Sequence, residues 1–346
     1  MPWTKIQADD SRQPVAFDNA GAGQREISYR DAIREALSQA LQTDPSVFLI
    51  GEGIDDPGGV FGTTVGLKDV FGQDRVMDSP IAENGMTGVA IGAAMTGMRP
   101  VFIHMRIDFL PMCMDQIINH AAKWSYMTGG AVKIPLTIRA IIGRGWGSAA
   151  QHSQSLQALF AHIPGLRVLM PATPYDVKGM LLGSISGNSP TVFIEHRWLY
   201  DMKGGVPEEP YVIHPGIGKV RREGTDLTIV ATSYMVYEAL RAAEELEKEG
   251  KSIEVVDMRS VLPVDEALIV DSVRKTGRVI AADTGWKHCG ISAEVAAVVA
   301  EKAYASLKAP VRRFCLPFTP TPACHSLEKA YYPTHADLVQ AVREML

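Results

Sequence analysis

The feature that most constrains the fold is a regular alternation of short apolar runs and longer helical segments. The runs 47–53 (VFLIGEG), 99–105 (RPVFIHM) and 134–143 (IPLTIRAIIG) have the length and composition of buried strands. Segments with helical apolar spacing, such as 28–44 and 114–127, lie between such runs. Strands that are joined by helices pair in parallel, so the sequence predicts an α/β fold with helices on both faces of parallel or mixed sheets.

A second α/β pattern begins after a stretch rich in glycine, proline and charge at 201–218. This composition is typical of a connection between domains. The second pattern again alternates strands and helices, and one of its helices ends at Gly250, a common helix-terminating residue. We expect an N-terminal arm at 1–26, a first domain at 27–205, a linker at 206–222 and a second domain at 223–346.

Composition excludes several functional classes. The 346 residues carry a net charge of −5 and are 46% hydrophobic, so no basic surface for nucleic acid or anionic membrane is expected. No run of about 18 apolar residues predicts a transmembrane helix, and the polar start lacks the core of a signal peptide. The cysteines are widely spaced and form no CxxC pair, which favours a reducing cytoplasm.

Several nucleotide and hydrolase motifs are absent. No GxGxxG follows the first strand of either pattern, and neither a phosphate-binding P-loop nor a GxSxG nucleophile motif occurs. The GRGWG at 143–147 is interpreted as a flexible loop. Four histidines have no metal-like spacing to a carboxylate or thiol, so no metal site is predicted; they are His104, His120, His288 and His325.

Glu83 opens a segment that is otherwise small or apolar (PIAENGMTGVAIGAAMTGM, 80–98). An acid in the first turn of a helix is stabilised by the helix dipole, which is the structural explanation. A carboxylate in apolar surroundings also has a raised pKa and can share a proton with a bound heterocycle. Pattern alone leaves both explanations open.

Three further residues are candidates for chemistry or ring binding. His152 lies in a polar loop after a predicted strand, either as a surface residue or as an acid/base group at a cleft edge. Met105 and Phe109 either pack in the core or provide the soft and aromatic surfaces that sandwich a flat ring.

Four long blocks, at 49–102, 114–130, 151–181 and 255–284, occur in an order that resembles one family. It is the beta subunit of the thiamine-diphosphate-dependent 2-oxoacid dehydrogenases, the decarboxylase components that act on pyruvate, branched-chain oxo acids and acetoin. The resemblance spans about residues 27 to 310. It implies a transketolase-like pyrimidine-binding domain followed by a transketolase C-terminal domain.

The resemblance also implies roles for single residues. Glu83 matches the glutamate that hydrogen-bonds a nitrogen of the cofactor's aminopyrimidine ring. Ile81, Met105 and Phe109 match positions that line the cofactor site, and His152 matches a histidine associated with proton or acyl transfer. Glu83 and His152 are thus the predicted catalytic residues.

The motif that holds the diphosphate through Mg²⁺, a GDG with a following asparagine, is absent here. In the family it belongs to an alpha subunit, so the resemblance implies half a site and an alpha2-beta2 assembly. The implied partners are that subunit, a small 2-oxo acid and a lipoyl acyltransferase that would dock on the second domain.

The sequence departs from the family at several points. Ile103 stands where an acidic residue is common, and Arg144 and Trp146 are additions near the expected substrate entrance. Arg144 is a candidate contact for a substrate carboxylate. Gly187 stands where relatives often have Asp, which argues against a structural K⁺ site. The tail after the Pro-Thr-Pro element also differs from that of the family.

Together these features predict a subunit that decarboxylates a 2-oxo acid and transfers the acyl unit to a lipoyl-type acceptor. Two alternatives stay open at this point. One is a ketol transferase or carboligase with the same cofactor, and the other is a non-catalytic scaffold that keeps the fold.

Overall fold

A computed structural model of the protein describes residues 25–143 and 147–346. The strands are β1 Glu26–Ser28, β2 Val47–Gly51, β3 Val76–Asp78, β4 Arg99–His104, β5 Thr137–Ile142, β6 Arg167–Leu169, β7 Thr191–His196, β8 Lys203–Gly205, β9 Lys219–Arg222, β10 Leu227–Ala231, β11 Ile253–Asp257, β12 Ser260–Leu262, β13 Val279–Trp286 and β14 Arg312–Leu316.

The α-helices are α1 Tyr29–Thr43, α2 Leu67–Phe71, α3 Glu83–Met95, α4 Trp124–Met127, α5 Gln157–Ala161, α6 Pro174–Ser186, α7 Tyr234–Glu247, α8 Glu266–Thr276, α9 Ile291–Lys302, α10 His325–Tyr331 and α11 His335–Arg343. Short 3₁₀ turns cover Ile107–Cys113, Arg197–Leu199 and Tyr304–Ser306. No helix within the described ranges is long and apolar enough to cross a membrane.

Two main sheets carry the fold. The first has seven strands in the order β12-β6-β7-β5-β4-β2-β3, and the second has five in the order β14-β13-β10-β11-β9. All neighbours pair in parallel except β12 with β6 and β9 with β11, while β1 and β8 form a small antiparallel ribbon. The prediction of an α/β fold with parallel or mixed sheets is confirmed.

Two short strands do not follow the proposed domain boundaries. Strand β9, at Lys219–Arg222, belongs to the second sheet although the sequence analysis placed these residues in the linker. Strand β12 comes from the proposed second domain, yet it pairs with β6 at the edge of the first sheet. Each strand is only three or four residues long, so neither shows a strand pattern in the sequence.

The predicted helix at 114–127 is wrong as a single element. A 3₁₀ turn ends at Cys113, a π-helical turn covers Gln116–Ala121, and α4 follows at Trp124–Met127. The wider turn lets the Ala122 N–H reach the Ile117 carbonyl. The Ala122 carbonyl meets Gly165 so closely that a Cβ at 165 would lie 2.0 Å from its oxygen, so this backbone contact accompanies the irregularity.

Two continuous hydrophobic clusters fill the interior. One includes residues of α1, α6, α7 and α11, and the other includes residues of α3, α8 and α9. Both clusters contain strand residues of the first and the second sheet. The two sheets therefore share their cores, and the proposed domains are not independent of each other in packing.

A buried ionic network joins the two halves of the chain. Asp176 of α6 forms ion pairs with Arg221 of β9 and with Arg259, whose Nη2 lies 2.6 Å from Oδ1. Arg221 also pairs with Asp257 of β11 at 2.8 Å. The carboxylates of Asp176 and Asp257 and the guanidinium of Arg221 are all buried. The loss of one partner therefore leaves an uncompensated buried charge.

We expect Asp176→Ala to lower the free energy of unfolding by roughly 3–5 kcal/mol, since it leaves the charges of Arg221 and Arg259 buried without it. Urea denaturation followed by circular dichroism measures this. The control is Arg222→Ala, which breaks a pair with the exposed Glu247 and should cost at most about 1 kcal/mol. Equal losses in the two variants would contradict the role assigned to the network.

His104, at the end of β4, makes stability pH-dependent. Burial lowers the pKa of its imidazole from 6.5 to about 3, and its Nε2 has no hydrogen-bond partner in the described structure. The unfolded chain binds this proton more readily, so the contribution is fully present above pH 6.5 and is lost as the pH falls towards 3.

Between pH 6.5 and pH 3, we therefore expect the free energy of unfolding to fall by up to roughly 4 kcal/mol more in the wild-type chain than in His104→Phe. At pH 7.5 the two should differ little, because the phenyl ring fills the same space beside Phe102. Parallel pH profiles of unfolding would show that His104 does not carry the effect.

Candidate functional site

The predicted site residues that the structure describes lie in segments at one edge of the first sheet. Strands β2, β3, β4, β5 and β7 run parallel, so their carboxyl ends meet at the same edge. Gly51 at the end of β2 is in register with Asp78 on one side and with Ile103 on the other. The segments that follow these strands carry the candidates, as is usual for ligand sites in open parallel sheets.

Glu83 is the first residue of α3, which follows β3. Its side chain is buried, with the residue 8% exposed, and its backbone carbonyl accepts a 2.7 Å hydrogen bond from Thr87 Oγ1. The position fits a helix-dipole role. Its carboxylate, however, makes no hydrogen bond or ion pair with any described residue, so it is available to a group from outside the chain.

Two further acids lie beside Glu83. Partial burial and the charges of Glu83 and Asp78 raise the pKa of Glu52, which follows β2. Asp78 is held in place because its Oδ1 accepts a 2.7 Å hydrogen bond from the Gly53 N–H. Glu52 was not among the predicted site residues, although its position directly after a buried strand placed it at this same edge.

Met105 lies against the loop that follows β2. A Cβ added at Gly53 would lie 2.7 Å from the Met105 Cε, and Gly53 has a φ of +64°. The positive φ favours glycine at this position, and the short distance shows how closely the Met105 side chain approaches this loop. The thioether is half-buried, packed against the core on one side, and therefore still presents surface at the edge where Glu52 and Glu83 lie.

Phe109 and His152 are in direct contact. Their ring centroids are 5.6 Å apart with an interplanar angle of 84°, an edge-to-face arrangement. Asp108 connects the two segments, because its Oδ1 accepts a 3.1 Å hydrogen bond from the Gln154 N–H, while burial raises its pKa. His152 itself is exposed, so its imidazole can exchange protons with a bound molecule or solvent.

The remaining predicted residues are placed differently. Ile81 is 84% exposed in the turn before α3, which suits contact with something outside this chain rather than a role in the core. Arg144, the candidate for a substrate carboxylate, lies outside the described residues. The structure thus pairs Phe109 with His152 and groups Glu83 with Glu52.

The glycines of α3 do not lie on its packed face. A Cβ at Gly85 or Gly92 would meet nothing within 4 Å. The buried face is formed instead by Thr87, Ala90, Ile91 and Ala94. Glycine, with Val89 at 55% exposed, leaves a flat open face on this helix within the described chain.

No group of three or more potential metal ligands occurs in the described part of the chain. At Gly187, the position discussed for a K⁺ site, the carbonyl accepts a 2.6 Å hydrogen bond from Arg99 Nη1. The same nitrogen donates to the Ile185 carbonyl, and Arg99 Nη2 donates to Asn188. The guanidinium of Arg99 thus already donates hydrogen bonds to the oxygens at this position.

Two family models match successive parts of the chain. Residues 25–203 match the transketolase pyrimidine-binding domain, and residues 216–338 match the transketolase C-terminal domain. A solved structure described as a split-gene transketolase, an inactive beta4 tetramer, superimposes with a TM-score of 0.73 at 28% identity. The alignment covers 92% of this chain and 97% of that one.

Curated relatives are similar over nearly their whole length. The acetoin:2,6-dichlorophenolindophenol oxidoreductase subunit beta of Cupriavidus necator is 44% identical over 332 residues, covering 93% of this chain and 98% of the relative. The pyruvate dehydrogenase E1 component subunit beta of Bacillus subtilis is 43% identical over 322 residues, covering 93% and 99%. The 2-oxoisovalerate dehydrogenase subunit beta of the same organism is 42% identical, covering 92% and 98%.

These matches confirm the resemblance found in the sequence, together with its transketolase-like fold. They include subunits of acetoin, pyruvate and branched-chain enzymes at nearly equal identity, so they establish the class and not the substrate. This chain belongs to the thiamine-dependent, transketolase-like family of 2-oxoacid dehydrogenase E1 beta subunits.

Proposed function

We propose that the chain supplies the aminopyrimidine half of a thiamine diphosphate site in a 2-oxo acid decarboxylase, and that a partner alpha subunit supplies the other half. The observation that carries this proposal is Glu83, a buried carboxylate at a helix start that no described residue uses. When bound, thiamine diphosphate supplies the electron sink on which a 2-oxo acid loses CO₂.

The residues at this edge fit a flat, basic heterocycle. Glu83, a buried carboxylate without a partner in the described chain, can exchange a hydrogen bond or a proton with a ring nitrogen. Glu52 beside it, whose pKa is raised by partial burial and by the charges of Glu83 and Asp78, is a second acid at this edge. Met105 and Phe109 offer polarizable and aromatic surface for the ring faces, and Ile81 offers exposed apolar surface beside Glu83.

His152 is the proton donor or acceptor for the substrate in this proposal. Its exposed imidazole lies edge-on to Phe109, so a ring bound against Phe109 brings its substituents to the histidine. The Asp108–Gln154 hydrogen bond holds the segment that carries His152 close to the Phe109 turn. Acid/base chemistry from a positioned histidine contributes about 10²–10⁴ in rate.

The open face of α3 supports the need for a partner chain. Exposed apolar side chains lie on it or next to it: Val89 in the helix, Ile81 just before it, and Met112 in the 3₁₀ turn that contacts it. A glycine face of this kind permits a second backbone to approach closely. The split-gene transketolase chain of similar fold is described as inactive when it forms a beta4 tetramer, which also favours a site completed by another subunit.

In the proposed assembly, Mg²⁺ and the diphosphate are held by the alpha subunit, since this chain has no GDG motif. The acyl unit then passes to a lipoyl-type dithiolane on an acyltransferase. A second candidate is transfer of a ketol unit to an aldehyde, which the likeness to a split-gene transketolase favours. Product analysis with labelled 2-oxo acid, in the presence of either lipoamide or an aldehyde, separates the two reactions.

We expect thiamine diphosphate with Mg²⁺ to bind this chain only when it is co-expressed with an alpha subunit. Glu83→Gln should weaken that binding and abolish decarboxylation, because the amide cannot exchange the proton. Calorimetric titration measures the affinity, and Asp271→Asn on the exposed face of α8 is the control. Tight binding to the isolated chain would show that the half-site proposal is wrong.

We expect His152→Ala to lower kcat by about 10²–10⁴ while the affinity for thiamine diphosphate stays within a few-fold of wild type. The reason is that His152 faces the substrate side of Phe109 and not the carboxylate that recognises the ring. Single-turnover decarboxylation and calorimetry measure the two quantities. Equal loss of kcat and cofactor affinity would contradict this division of roles.

We expect Gly92→Leu to prevent assembly with the alpha subunit without unfolding the isolated chain. The new side chain meets open space in this chain but would block a helix packed against α3. Size-exclusion chromatography of the co-expressed proteins measures assembly. Asp271→Leu, at an exposed helical position of the second half, is the matched control, and normal assembly of both variants would place the partner elsewhere.

A further inference from the structure

A cluster of cations lies at the carboxyl edge of the sheet and takes no part in the function proposed above. Arg197 follows β7 in a 3₁₀ turn and is only 4% exposed. Its guanidinium carbon lies 4.1 Å from the ring centroid of Phe61 and 5.1 Å from that of Tyr200. Two aromatic rings therefore hold the guanidinium in place by cation–π contact.

No acid compensates this charge within the described chain. Arg197 Nη1 is enclosed and has no hydrogen-bond acceptor. The carboxylate of Glu195 is bound by Arg139 at 2.5 and 2.8 Å and by the Tyr200 hydroxyl at 2.7 Å. Asp201 is paired with Arg30. Glu195 and Asp201 are thus both bound by other donors.

Neighbouring cations increase the imbalance. Arg106 lies with its guanidinium carbon 5.8 Å from the same Phe61 ring, and it donates to the Gly143 carbonyl. Burial, together with the charges of Arg30 and Arg106, lowers the pKa of Arg197 to about 10. Arg30 is paired with Asp201, and the charge of Asp108 acts on Arg106, so of these three guanidinium groups Arg197 is the one without an acid of its own in the described chain. A chain rarely keeps such a buried guanidinium unless an anion compensates it.

The surrounding loop holds Phe61 in a specific place at a conformational cost. Phe61 has a φ of +50°, in the left-handed region that a phenylalanine seldom adopts. Two hydrogen bonds close the turn around it, from Val60 N–H to Thr64 Oγ1 at 2.9 Å and from Thr63 Oγ1 to the Val60 carbonyl at 2.8 Å. Strain of this kind is concentrated at ligand clamps.

We propose that Arg197, together with Arg106, forms an anion site that takes a carboxylate group from outside the chain. A guanidinium presents its donors in a planar fork, which matches the two oxygens of a carboxylate. The carboxylate comes either from a small acid or from a side chain of a partner subunit. The site does not depend on the cofactor chemistry proposed for Glu83 and His152.

The first arm of the test uses small acids. Thermal unfolding of the full chain is followed at constant ionic strength in sodium chloride, sodium acetate and sodium pyruvate. Binding of a carboxylate to the folded chain at about 100 times its Kd should raise Tm by about 4 °C over chloride. Arg197→Met, which keeps the length but removes the charge, should abolish this rise.

The second arm uses a partner. If free carboxylates leave Tm unchanged, the wild-type chain should still assemble with a co-expressed alpha subunit more tightly than Arg197→Met, by at least about tenfold in Kd. That outcome assigns the carboxylate to the partner subunit. The anion proposal is wrong if Arg197→Met changes neither the response to carboxylates nor the assembly.

Two further variants serve as controls for unfolding and for net charge. Arg197→Lys keeps a cation but not the fork, so it should fold and bind carboxylate about tenfold more weakly, which keeps the test usable if the methionine variant unfolds. Arg222→Gln removes a cation of the second sheet that pairs with Glu247 and should behave as wild type. A loss of the carboxylate response in Arg222→Gln would attribute the effect to net charge and overturn the proposal.

Discussion

Parallel pairing of β2 with β3 and β4 decides where most of the candidate residues lie. Because the three strands point the same way, the segments after Gly51, Asp78 and His104 emerge at one edge. Three acids, a thioether and an aromatic turn meet there without any one loop having to carry them all. A reversal of one strand would remove its residues to the opposite edge of the sheet.

The polar groups at this edge are of two kinds, and the difference indicates function. Arg139 and Glu195 are completely buried and compensate each other's charge, so this ion pair has a role in the folded structure itself. Glu83 and Arg197 are buried as well, yet neither has a partner of opposite charge in the described chain. An unmatched buried charge is costly, and the two unmatched charges have opposite signs. The two proposals therefore assign to Glu83 and Arg197 two different groups from outside the chain.

Much of the fold was predictable, because its helices and strands follow simple patterns. Helix α1 shows regular apolar spacing and begins after Ser28, whose side chain accepts a hydrogen bond from the Asp31 N–H. Glu83 was predicted as an acid that opens an apolar segment, His152 as a loop residue after a strand, and family resemblance favoured both; their roles stay predictions. The strand exchange of β12, the open glycine face of α3 and the enclosure of Arg197 depend on contacts between distant segments, and no local pattern records such contacts.

The exchange of β12 has a consequence for the order in which the protein can be made. Strand β6 is an edge of the first sheet until Ser260–Leu262 pairs with it. Most of the second half must therefore leave the ribosome before the first sheet is closed. During that interval the nascent chain presents a free strand edge that could pair with other chains. Cutting the gene between the two domains would make that temporary state permanent.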